Sequence, residues 1–141
     1  MQISQKMLAS LAACAMAGLG MAAETPFTGI FGGAGGFCLG ALHIHAQAVE
    51  WNTSYSVCET SNYEVLEEKI WKKKSHLVWL LKNPGEKCRF EIIEAQHVKN
   101  QGWNITGYPS REAFEKKGQP GWVDSALPGR QILSCSMVKV D

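Results

Sequence analysis

Apolar side chains recur at every second position in one short segment after another of this chain. A backbone that sorts its side chains with period two is extended, not helical. Cys38, Leu42, Ile44 and Ala46 alternate with Leu39, Ala41, His43 and His45, and Val49, Trp51, Tyr55 and Val57 lead into Cys58. Leu77, Trp79 and Leu81 interleave with Val78 and Leu80, the pattern of a strand buried on both faces. Cys88, Phe90 and Ile92 continue the alternation, and Leu133, Cys135 and Met137 close the chain. Lys99-Asn100-Gln101-Gly102 is hairpin-turn chemistry leading into Trp103 and Ile105. Residues 61–74 fit two patterns. Ser61 with Glu64 makes a capping box and Glu68 with Lys72 an i,i+4 pair, whereas Tyr63 to Trp71 can form a strand turning at Lys72–Ser75. Strands on both sides favour the strand.

One helix interrupts the series. Ser110 can cap it, Ala113 and Phe114 offer an apolar contact, and Lys116 and Lys117 suit a C-terminal dipole. Gly118 stands where a left-handed residue would end it. The expected architecture is all-β, about seven strands in a small barrel or sandwich, with one short helix before the last strand. Large aromatic residues inside such a barrel fill it, which argues against a roomy ligand cavity.

The N-terminus places this domain in an oxidising setting. Lys6 precedes the Ala/Leu/Met run Met7–Ala17, and Met21-Ala22-Ala23 offers small residues ahead of Glu24. A lone cation, a short apolar stretch and a small-residue cleavage site read as an export signal, too short for a permanent span. The expected division is residues 1–23 as signal peptide and 24–141 as a single domain. Leu11-Ala12-Ala13-Cys14 also matches a lipoprotein cleavage pattern, so a lipid anchor on Cys14 is the lesser alternative. The Ala/Gly-rich leader points to a bacterial periplasmic or secreted location. Removing Lys6 leaves 13 basic against 13 acidic residues. A neutral domain with interspersed signs has no electrostatic call on nucleic acid or anionic lipid.

Cys38, Cys58, Cys88 and Cys135 then read as two disulfides, with three possible pairings. Cys38 and Cys58 flank a hairpin expected to turn around Gln47–Glu50, which favours Cys38–Cys58 with Cys88–Cys135. No C-x-x-C spacing supports a structural metal.

His43 and His45, two apart on a strand, point to one side and could offer two imidazoles to a metal. A third donor would come from His76, His97 or a carboxylate. Phe27, Phe31 and Phe37, interleaved with the glycines of 29–36, could form a pliable apolar contact surface. That glycine segment is no phosphate loop, because no Gly-Lys-Ser/Thr follows and the next residues are extended. Lys72-Lys73-Lys74 is a charged tip suited to an acidic partner, and Trp122 marks a second contact loop. Catalytic signatures are missing: Asp124 and Asp141 are the only aspartates, and neither G-x-S-x-G nor H-E-x-x-H occurs. No cofactor is implied.

In size and disulfide count the chain is similar to small exported barrels such as lipocalin-like proteins and bacterial lysozyme inhibitors, without a shared motif. The leading expectation is an exported, non-catalytic β-domain, inhibitor-like, that binds a partner protein or envelope ligand. Its contacts would come from Phe27, Phe31, Phe37, Lys73 and Trp122. The alternative is an envelope metal-binding protein using His43 and His45, and third a secreted hydrolase.

Overall fold

A computed structural model describes residues 26–71, 74–119 and 131–141. The leader, Cys14, Ala23, Lys73 and Trp122 therefore lie outside the described residues. Eight strands follow one another: β1 (Gly29–Gly33), β2 (Gly40–Ile44), β3 (Ala48–Thr53), β4 (Val57–Ile70), β5 (Lys74–Leu81), β6 (Ile92–Val98), β7 (Gly102–Tyr108) and β8 (Leu133–Lys139). Each pairs antiparallel with its neighbour, and β1 closes onto β8 through Phe31↔Lys139, Gly32↔Val138 and Gly33↔Met137. Closure removes the two free edges an open sheet would have, leaving an unpaired edge along the lower half of β4.

Five of these strands, β2, β3, β5, β7 and β8, follow the alternating runs. β1 comes from the glycine-rich segment, where the side chains predict no strand. Its composition suits a crowded junction: a Cβ on Gly33 would lie 2.4 Å from the Cys38 carbonyl oxygen. Gly40 is more constrained still, with φ +147° and the Asn52 carbonyl 1.9 Å from where a Cβ would stand. Only glycine lets these backbones approach so closely. The ambiguous stretch is strand where it is described: Ser61–Ile70 form the lower part of β4, and Lys74 starts β5. The segment 88–91, by contrast, belongs to the connection before β6.

Inward-facing residues fill the barrel. Phe31, Leu42, Trp51, Leu77, Trp79 and Ile105 are among the fully enclosed side chains. Both ends are stoppered by phenylalanines from outside the strands. Phe27 packs on Phe31, Trp79 and Trp103 at centroid separations of 6.2, 6.2 and 5.7 Å. At the other end Phe90 stacks on Trp51 at 5.1 Å.

A second apolar layer lies outside the wall. Val78, Ile92 and Tyr108 on β5–β7 are covered by Ala113 and Phe114 of α1 (Arg111–Glu115). This explains the double-sided apolar pattern of β5: Trp79 faces the lumen and Val78 the helix. Ser110 caps α1 as expected, its hydroxyl accepting from Ala113 N–H at 3.0 Å. The expected terminator is not used. The C-cap is Lys116 at φ −96°, and Gly118 has no left-handed backbone, so the helix ends two residues earlier than its sequence signals.

Two disulfides form, as expected, but with the other pairing: Cys38–Cys135 and Cys58–Cys88. The expected Cys38–Cys58 bridge fails on strand order. Cys58 stands opposite Trp51 of β3, and Trp51 stands opposite Leu42 of β2. Cys38 and Cys58 thus flank strands two positions apart, roughly 10 Å at about 4.8 Å per strand, too far for a disulfide. Cys38 instead sits in a 3₁₀ turn (Gly36–Cys38) beside β8, where β1 closes the barrel. Cys58–Cys88 fastens the long β5–β6 connection to the head of β4. Paired cystines in so small a domain are typical of extracellular or periplasmic proteins. Among the described residues no helix is long and apolar enough to cross a membrane.

Candidate functional site

With the lumen filled by side chains, the open grooves lie on the outer surface. β4 is 14 residues long and leaves β3 at Asn62, so its lower half pairs with β5 alone. Across this lower wall Lys69, His76 and Gln96 form one outward row, and Lys74 with Val98 the next. Trp71 and Lys74 close the β4–β5 hairpin by exchanging backbone hydrogen bonds of 2.9 and 3.4 Å. Lys69, Trp71, Lys74, His76, Gln96 and Val98 line a groove of about 260 Å³. Trp71 is 61% exposed and its neighbour Ile70 52%, two adjacent large apolar side chains open to solvent.

The upper end of this groove abuts a polar network. His76 lies between two carboxylates, Glu67 at Nδ1 and Glu94 at Nε2 (2.5 Å). Glu94, almost fully enclosed, also accepts from the Tyr108 hydroxyl at 2.7 Å and the Lys117 ammonium at 2.8 Å. Lys117 in turn lies 4.2 Å over the Phe114 ring. Burial pushes the Glu94 carboxyl up. Hydrogen bonds from Lys117, Tyr108 and His76, with the Lys117 charge, outweigh that and hold it below the ordinary carboxylate value. Burial, then the Glu94 carboxylate, push the Tyr108 phenol far up. The network ties the segment after α1 to the wall and locks His76, leaving neither imidazole nitrogen open.

A testable consequence concerns acid. A carboxyl depressed in the native state stabilises the fold above its unfolded value, 4.5, and loses that contribution as pH falls through the native value. Glu94→Gln is therefore expected to lower the unfolding temperature at pH 7 and to flatten its decline between about pH 5 and pH 3. Thermal melts across that range check this. Parallel curves for the two proteins would remove Glu94 from the acid response.

The structure separates the residues singled out from sequence. Phe31 is wholly inside and has no surface to offer, and Phe27 is a half-buried stopper. Phe37 is 60% exposed, but at the opposite end of the barrel, resting 5.0 Å from Tyr55. An outward-facing phenylalanine surface over Phe27–Phe37 is not formed, because β1 alternates and spans roughly 16 Å between its ends. Lys73 and Trp122 lie outside the described residues, although Trp71 and Lys74 bracket the former. His43 is on the outer face of β2 and His45 follows just beyond its end, with ring centroids 3.7 Å apart. The expected third donors His76 and His97 are elsewhere: His76 is locked in its network, and His97 stacks on Trp103 at 4.8 Å. The carboxylate beside them is Glu50. Sequence reasoning missed it by placing Glu50 in the turn, whereas the turn is shorter and Glu50 lies on β3. Trp71 was legible only as the end of a strand.

Compared with protein-family models, curated proteins and solved structures, the chain gives no match.

Proposed function

We infer that this chain is an exported, non-catalytic binding protein of the bacterial envelope or its surroundings, engaging an acidic partner protein through the β4–β5 hairpin. The observation that carries this reading is Trp71, open to solvent at a lysine-flanked tip of a barrel whose interior is full. Three features support it. Tryptophan concentrates binding energy when a partner covers it. Lys69 and Lys74 flank the indole, and the sequence adds Lys72 and Lys73 between them, so the tip complements negative charge. A packed lumen leaves no room for the interior ligand that a lipocalin-like barrel would carry, which favours an inhibitor-like role over transport.

The test is crosslinked capture from the native envelope, with affinity measured for whatever is recovered. Trp71→Ser is expected to weaken binding by about tenfold or more, as for a central aromatic contact. Lys69→Glu with Lys74→Glu is expected to slow association and abolish its salt dependence. Both variants should melt like wild type. Undiminished affinity in both would reject the hairpin as the binding site.

A further inference from the structure

We propose a second site, independent of the hairpin: His43, His45 and Glu50 form a three-donor site for a late first-row divalent cation, Zn²⁺ or Cu²⁺. The three side chains share the outer face of the β2–β3 hairpin on the far side of β4. His43 and Glu50 are direct cross-strand partners, and His45 follows two residues on. Glu50 Oε1 lies 3.9 Å from His43 Nδ1 and 3.8 Å from His45 Nε2, and one donor atom from each residue lies within 4.8 Å of the others. Donors bound to one tetrahedral metal at about 2.0–2.1 Å stand roughly 3.4 Å apart. The two Glu50–histidine separations must shorten by about half an ångström and the histidine–histidine separation by up to about 1.4 Å, within reach of side-chain rotations at this half-exposed site.

The backbone beneath is held by contacts that owe nothing to a metal. His45 N–H donates to the Ala48 carbonyl at 2.7 Å. The Tyr63 hydroxyl, reaching from β4, donates to the carbonyls of His45 and Ala46 at 3.0 and 2.9 Å. This turn is thus pinned from behind, so the imidazoles start from a fixed base. The donors are about one-third to two-fifths exposed, and a groove of about 310 Å³ lies beside the histidines. A fourth position stays reachable for water or for a side chain of another molecule.

Ligand chemistry selects the cation. Two imidazoles with one carboxylate suit Zn²⁺, Cu²⁺ and Ni²⁺, whereas Ca²⁺ and Mg²⁺ require mostly oxygen donors. Cu²⁺ should bind most tightly, following the general order for such sites. Lys139 also lines the groove. Its ammonium donates to the Asp141 backbone carbonyl at 2.8 Å.

Calorimetric titration of the full chain with Zn²⁺, and Cu²⁺ resonance spectra showing nitrogen coupling, test the proposal. Wild type is expected to take up one Zn²⁺ and to melt at higher temperature with it, while Ca²⁺ and Mg²⁺ leave the melt unchanged. His43→Gln, His45→Gln and Glu50→Gln should each weaken Zn²⁺ binding by at least about tenfold. Without metal their melts should match wild type, since all three side chains are on the surface. No Zn²⁺ uptake by wild type, or equal uptake by the histidine variants, would overturn the site. Loss in the histidine variants with Glu50→Gln unchanged would overturn the three-donor arrangement. Neither result bears on Trp71, which is carried by a different hairpin.

Discussion

Replacing Cys38 and Cys135 together by alanine is expected to lower the unfolding free energy by about 4–5 kcal/mol, read from urea titration. The bridge spans 97 residues of sequence, and closing so long a loop removes the most conformational entropy from the unfolded chain. It also fastens the place where the last strand meets the first. Without it, closure rests on the three β1–β8 pairs, on the backbone hydrogen bonds of Ile30 with Val140 and Asp141, and on packing around Phe31 and Met137. Cys58→Ala with Cys88→Ala opens a loop of 30 residues and is expected to cost less, about 3–4 kcal/mol. Peptide mapping without reduction gives a separate check, since Cys38 should be recovered linked to Cys135. A Cys38–Cys58 peptide would sink both the pairing and the strand order that explains it.

Trp79→Ala is expected to cost about 3–5 kcal/mol, the range for truncating a large buried aromatic residue. Trp79 is 1% exposed on β5, with the Tyr63 ring edge-on at 6.1 Å and the Phe27 stopper at 6.2 Å. Its removal leaves a void among mainly apolar side chains, which should favour an apolar occupant over water. Benzene or xenon should then restore part of the lost stability, and wild type should show no such response. Capture through Trp71 and Zn²⁺ uptake should both survive in the folded fraction, because both sites are on the outer wall. A loss below about 1 kcal/mol would mean the lumen is not packed, and an interior ligand would return to consideration.

What could be read directly from the residues were the local features. Period-two runs announced strands at β2, β3, β5, β7 and β8, and the double-sided run of Leu77–Leu81 announced a strand covered on both faces. Ser110 announced its cap. These signals are carried by residues within a few positions of one another, where backbone geometry alone dictates which side chains share a face. The strand identity of β1 was hidden because its glycines have almost no side chains to alternate.

Amino-acid order alone thus pointed to a small β-structure with two cystines and a short capped helix. Only the tertiary fold decided that the sheet closes, that Cys38 meets Cys135, that Phe31 turns inward while Trp71 stays outside, and that Glu50 stands beside His43 and His45. Each of these depends on register between strands. Moving a turn by one or two residues carries a side chain to a different neighbour or to the opposite face, and that choice is made by long-range pairing and packing that no local pattern encodes.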